Sequence, residues 1–176
     1  MKKELLKIKL GDNSLEKQLQ NIYQEIADTV NQMIPEEWGK VYFYAQISET
    51  GGGIYFYYNT PENLNDFKYS LEIPFNFYVN EGAFEQMEDD LFELCEKMRE
   101  IFKKHDQELW YSFTMSVERN GEFKIHYDYT DWFKTDYLFD AQKIIWKYKY
   151  LGIKPAHPND QKVIEKYLDE YPDNPI

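Results

Sequence analysis

The stretch from Met33 to Tyr58, MIPEEWGKVYFYAQISETGGGIYFYY, decides how the chain folds. Pro35 pushes Ile34 out of the helical region, so a helix arriving from the N-terminal side must stop here. From Val41 the period becomes two. Val41, Phe43, Ala45 and Ile47 alternate with Tyr42, Tyr44, Gln46 and Ser48, which is the pattern of a strand with one aliphatic and one tyrosine-rich face. Gly51, Gly52 and Gly53 accept positive φ without a Cβ clash, which predicts a turn or bulge there and a return strand from Ile54 to Tyr58. A phosphate-cradling loop would need a following helix and a Lys-Ser/Thr pair, whereas a strand follows. Trp38 stands between helix stop and strand start, where a large ring fills the corner between them, and its burial is predicted.

Upstream, Leu15, Leu19, Ile22, Ile26, Val30 and Met33 recur at helical steps, with Asn13 or Ser14 as the cap and Asn13 with Glu16 as a capping box. Residues 1–12 are Lys-rich and read as an N-terminal extension. Downstream, residues 60–66 read as a loop, and Phe67, Tyr69, Leu71 and Ile73 as the face of a third strand that Pro74 interrupts. Loops this short allow only antiparallel pairing. Phe84, Met87, Leu91, Leu94, Met98 and Ile101 mark a long helix from about Glu81 to His105. Trp110 to Arg119 and Glu122 to Tyr129 flank Asn120-Gly121, which predicts a hairpin with a type I′ turn. A helix carrying Ala141, Ile144, Ile145, Tyr148 and Leu151 ends at Gly152, and a last helix runs from about Asp160 to Tyr171 before a tail over residues 172–176. The sum is one α+β domain over residues 1–176. Its antiparallel sheet has about five strands, a β-meander plus a hairpin, packed against N-terminal, central and C-terminal helices.

The chain has 176 residues, a length that fits one core. Its 20 Lys and Arg stand against 32 Asp and Glu, a net charge of −12 that disfavours nucleic acid and anionic lipid and favours a basic partner. Cys95 is the only cysteine, which excludes an internal disulfide and a Cys-rich zinc site and fits a reducing compartment. Its neighbours Leu91, Leu94 and Met98 place it on the apolar side of its helix. The first residues lack the pattern of a signal peptide, and no apolar run has the length of a membrane span, so a cytoplasmic location is expected.

Catalytic chemistry is hard to find. His126, Asp128, Asp131 and Asp136 are the one group that could converge on a metal ion. His126 and Asp128 share a strand face, however, and alternate with Phe123, Ile125, Tyr127 and Tyr129, as in a solvated polar row opposite a buried aromatic one. On the long helix, acids (Glu85, Glu88, Asp89, Asp90, Glu93) precede bases (Lys97, Arg99, Lys103, Lys104), an order that suits the helix dipole and also offers an acidic patch.

Four pieces in order carry a resemblance. They are Met33-Ile34-Pro35-Glu36-Glu37-Trp38-Gly39-Lys40-Val41, the triplet Gly51-Gly52-Gly53, Tyr127-Asp128-Tyr129-Thr130-Asp131-Trp132, and Lys147-Tyr148-Lys149-Tyr150-Leu151-Gly152-Ile153-Lys154-Pro155. From about Leu15 to Tyr171 the sequence resembles the YezG-like, or EsaG-type, immunity proteins. The resemblance implies a cytoplasmic antitoxin that binds and blocks the nuclease domain of a secreted LXG-type polymorphic toxin. It implies a protein partner rather than nucleic acid or membrane, no catalytic residue and no cofactor or metal, and it leaves homo-oligomerisation open. The candidate partner-binding residues are then Glu85, Glu88, Asp89 and Asp128 with the tyrosines Tyr42 and Tyr44. Two other readings stand beside it: a small metal-dependent hydrolase using His126, Asp128 and Asp131, and an oligomeric interaction protein without a toxin partner.

Overall fold

The computed structural model describes residues 14–173. The expectations for the extension over residues 1–12 and for the cap at Asn13 lie outside them. Helix α1 (Ser14–Met33) stops before Pro35, and β1 (Lys40–Ser48) follows. β2 (Gly51–Thr60) and β3 (Asn63–Tyr69) continue a meander, a short helix α2 (Ile73–Asn76) leads to the long α3 (Glu81–Lys104), and β4 (Ser112–Glu118) and β5 (Phe123–Asp128) form the hairpin. α4 (Phe139–Leu151) and α5 (Pro158–Glu170) follow. The five strands form one antiparallel sheet in the order β3-β2-β1-β4-β5, so β1 is central and α3 carries the chain from one side of the sheet to the other.

Both sheet faces are covered. Val41, Phe43, Ala45 and Ile47 join Phe56, Phe113, Met115 and Val117 beneath α1 and α3, in one core with Ile26, Leu91, Cys95 and Met98. Trp38 is 4% exposed in that core, and its indole N–H donates to Asn31 Oδ1 at 2.9 Å. The opposite face carries a second core, in which Tyr44, Tyr55 and Tyr57 pack against Ile145 and Trp146 of α4 with Ile164 and Tyr167 of α5 behind them. Trp146 meets Tyr55 edge-on at 5.2 Å, a geometry worth about 0.5–1.5 kcal/mol beyond burial, and its N–H donates to Thr114 Oγ1 at 2.9 Å. The tyrosine-rich face of β1 is therefore an interior surface: Tyr44 and Gln46 are buried, the Gln46 side chain bonding Gln142 at 3.0 Å.

Four local expectations are corrected. The chain reverses at Glu49 and Thr50, and the three glycines belong to β2, where Ser48 pairs with Gly51 and only Gly51 has positive φ, at 134°. The third strand spans Asn63–Tyr69, inside what reads as a loop, and ends where residues 70–72 begin a 3-10 turn. Pro74 then sits in the first turn of α2, where its missing N–H costs nothing and its fixed φ suits the helix. The Asn120-Gly121 hairpin is not type I′, because only Gly121 has positive φ. Gly121 N–H donates to Glu118 O at 3.0 Å and Glu118 N–H to Glu122 O at 2.8 Å, which makes a type I turn closed by a glycine bulge. The remaining α+β expectation holds, including the end of α4 at Gly152 with φ 67°.

Candidate functional site

The surface on which a partner could act begins with α3. Asn80 caps it, accepting from Ala83 N–H at 2.8 Å. The buried stripe Phe84, Leu91, Leu94, Cys95, Met98 and Phe102 seats the helix on the sheet and on α1, which turns the intervening acids outward. Glu85 and Asp89 are exposed and Glu88 is half-buried. Among the described residues none of the three forms an ion pair. Burial pushes the Glu88 carboxyl above its ordinary range, and the neighbouring charges of Glu85 and Asp89 push it further the same way. The basic half of α3 is partly engaged: the Arg99 guanidinium donates to Trp110 O at 3.0 Å and to Glu49 Oε1 at 2.9 Å, tying the helix to the β1–β2 turn. Acidic residues without neighbouring bases thus concentrate in the first half of the helix, where Lys and Arg are absent before Lys97.

The other sequence-derived candidates sit elsewhere. Asp128, expected in a solvated row, is 4% exposed at the end of β5. Its carboxylate accepts from the Trp132 indole N–H at 2.5 Å, from Thr130 N–H at 3.0 Å and from the Ser112 hydroxyl at 3.4 Å, so it braces the chain as it leaves the sheet for α4. A carboxylate so buried and occupied is closed to direct contact with a partner, and Tyr129, expected inside, lies beyond the strand and is 43% exposed. Tyr44 is likewise inside, its ring 5.9 Å from Trp146, and burial pushes its hydroxyl well above its ordinary range. Tyr42 is half-buried among Phe67, Trp146 and Tyr150, with the Lys40 ammonium 5.0 Å over its ring. The geometry therefore joins Glu85, Glu88 and Asp89, and separates them from Asp128, Tyr42 and Tyr44.

The residues proposed for metal chemistry do not meet. His126 is exposed on β5, Asp128 is held as described, Asp131 pairs with Lys134 at 3.1 Å, and Asp136 pairs with Lys166 at 3.1 Å. Among the described residues no three His, Cys, Asp or Glu side chains come together as a metal site would need. Cys95 is fully buried, and burial raises its thiol well above the reactive range.

A further feature lies apart from the sequence-derived candidates. At the β3 side of the sheet an open cleft of about 440 Å³ is lined by Tyr57, Tyr69, Glu72, Asp140, Lys143 and Lys147 among others. The Lys143 ammonium lies 3.6 Å above Tyr69 and 5.3 Å from the Tyr55 ring, and burial lowers its affinity for the proton against the pull of Asp140 and Glu72. Tyr69 stacks on Tyr57 at 4.8 Å and feels the charges of both Glu88 and Glu72, so the cleft wall and the acidic half of α3 are neighbours. Tyrosines at Tyr55, Tyr57 and Tyr69 carry the signal, but only the register Tyr57 opposite Tyr69 shows that they gather.

Comparison with known proteins places this geometry. A family model described as "Immunity protein YezG-like" matches residues 19–165. The "Immunity protein YezG" of Bacillus spizizenii is 36% identical over 151 residues, 86% of this chain and 91% of that protein. The "Type VII secretion system protein EsaG" of Staphylococcus aureus is 36% identical over 160 residues, 89% of this chain and 98% of that protein. The "Immunity protein YezG" of Bacillus subtilis is 33% identical over 150 residues, 85% of this chain and 99% of that protein.

Proposed function

Because the chain belongs to the YezG-like family of immunity proteins, which act by binding and not as enzymes, we propose that it binds and inhibits the nuclease domain of a cognate secreted LXG-type toxin and so protects the cell that makes both. An immunity role follows from the family, and the nuclease target is our reading. The observation that carries it is the acidic first half of α3, where among the described residues Glu85, Glu88 and Asp89 form no ion pair, on a chain of net charge −12. A nuclease must attract a polyanion, so its cleft is basic, and an acidic surface that covers the cleft competes with the nucleic acid itself. Among the described residues no helix is long and apolar enough to cross a membrane. We place the protein in the cytoplasm, where the nucleic acid to be protected lies.

The test is to purify the C-terminal domain of the toxin encoded beside this gene and follow its degradation of plasmid DNA and of total RNA with increasing amounts of this chain. One equivalent should abolish the activity. Full activity in the presence of a tenfold excess would overturn the reading. Complementary charge mainly speeds encounter, so added salt should slow association by about tenfold or more while dissociation changes less. An association rate indifferent to salt would remove the electrostatic part of the reading.

A further inference from the structure

The segment that should have been a third strand face, and is not, carries an inference beyond the acidic helix. Residues 70–72 turn away from the sheet, and α2 follows. Three large apolar side chains are left in water as a result: Phe75 is 87% exposed, Leu71 44%, and Tyr78 fully exposed at 112%. Single exposed apolar residues need no explanation, but three within eight positions of one short segment concentrate apolar surface there.

The patch is rigidly mounted. Ile73, between Leu71 and Phe75, is 2% exposed, and Phe77 and Val79 pack on the larger core. The backbone is tied by Phe77 N–H to Ile73 O at 3.0 Å, Val79 N–H to Phe77 O at 3.0 Å and Phe84 N–H to Asn80 O at 2.9 Å. Exposed rings on a fixed backbone lose little conformational freedom when covered, which is what an aromatic anchor in an interface requires.

The charge along the segment points to the occupant, with Lys68, 5.8 Å from the Phe77 ring, and the cleft lysines Lys143 and Lys147 bounding it. Between Lys68 and Lys97 the sequence contains no Lys or Arg, while acids recur from Glu72 to Glu96. Glu72 lies inside the patch, and Glu81, Glu85 and Asp89 follow on the exposed side of α3. A second copy docking by the same surface would set these acids against their own kind. A basic protein surface with an apolar depression meets both the charge and the rings.

We propose that Leu71, Phe75 and Tyr78, with the acids of the first turns of α3, form the docking surface for a basic protein domain, the aromatic pair anchoring it and the carboxylates steering it. This rests on the functional reading above and names the surface that performs it. The cleft beside Lys143 lies at its margin, so that Glu72 faces both.

The experiment measures binding of the same toxin domain by the full chain and by Phe75→Ser with Tyr78→Ser. The double variant should bind about 30-fold or more weakly through faster dissociation, with an unchanged melting temperature because both rings are exposed. A control, Phe133→Ser with Leu138→Ser, alters apolar residues exposed elsewhere at 51% and 78% and should bind within threefold of the unaltered chain. If the unaltered chain does not bind the toxin domain, the functional reading fails and takes this one with it. If the unaltered chain binds and the double variant binds equally well, only the surface is wrong. Should the double variant melt early, amide exchange of the unaltered complex decides: residues 70–89 must gain protection, and protection confined elsewhere overturns the proposal. A chain that self-associates through Phe75 and Tyr78 in gel filtration would assign the patch to a second copy and also overturn it.

Discussion

Replacing each of the three consecutive glycines of β2 by alanine should give three different results. At Gly52 a Cβ would stand 1.8 Å from the carbonyl oxygen of Gln46 and 3.0 Å from the Ile47 Cα, both backbone. The two strands would have to part by about 1 Å, which takes ladder bonds near 2.9 Å out of hydrogen-bonding range. Loss of about two such bonds at ~0.5–1.5 kcal/mol each, with ~1–3 kcal/mol for the forced backbone shift, gives a cost of roughly 3–5 kcal/mol. At Gly51 nothing lies within 4 Å, but φ is 134°, a conformation that costs a side chain about 1–3 kcal/mol. At Gly53 nothing lies within 4 Å and φ is ordinary, so alanine should be neutral or stabilise by up to ~1 kcal/mol through the unfolded chain. Urea denaturation with the slope held constant reads all three, and at ~1–3 kcal/mol per molar the Gly52→Ala midpoint should fall by about 1 M or more. A Gly53→Ala variant as unstable as Gly52→Ala would show that close approach is not what the glycines provide.

Trp38→Ala should cost ~3–5 kcal/mol in the same assay, since it empties a buried corner and strands the Asn31 acceptor. Trp146→Phe and Trp110→Phe are chemically identical changes at sites 1% and 0% exposed, but the Trp146 N–H is bonded to Thr114 whereas that of Trp110 has no acceptor among the described residues. Trp146→Phe should therefore be the more costly by about 1–2 kcal/mol, and equal losses would refute the assignment of that bond. Glu88→Gln should raise the melting temperature slightly at pH 7. The folded carboxyl holds its proton more tightly than the unfolded one, so its ionisation costs stability above the folded pKa, and that cost fades as pH falls through it. The advantage of the glutamine should thus vanish in acid, and one that grew there would reverse the sign of the argument.

The helices and the central strand were legible because their apolar periods are long. Val41 to Ser48 alternates without a break, and Phe84 to Ile101 keeps helical spacing through nearly five turns. What lay hidden depends on polar tips. Tyrosine reads as a surface residue, yet a face of Tyr44, Tyr55 and Tyr57 is closed by α4, because the rings carry a large apolar area that packs on Ile145 and Trp146. Asp128 was misplaced for the same reason, since nothing in its own segment announces that Ser112 and the Trp132 indole will satisfy it. Pro74 reads as a break in a strand, but the strand ends earlier, at Tyr69, and the proline instead occupies the first turn of a helix, a position it suits equally well. The acids of α3 were found by their clustering, whereas the exposure of Phe75 and Tyr78 follows only from the turn at residues 70–72.

The position of β1 at the centre of the sheet sets the timing of biosynthesis. Its first neighbour, β2, follows immediately, but its second, β4, pairs Val117 with Val41 across the whole of α2 and α3. At roughly 5–20 residues per second the ribosome needs about 4–15 s to deliver that partner. During that interval the hydrogen-bonding edge of β1 that β4 will occupy has no strand beside it, a template for pairing with another nascent chain. A cell that needs its protection in place before the corresponding toxin is folded gains by starting translation of this chain first.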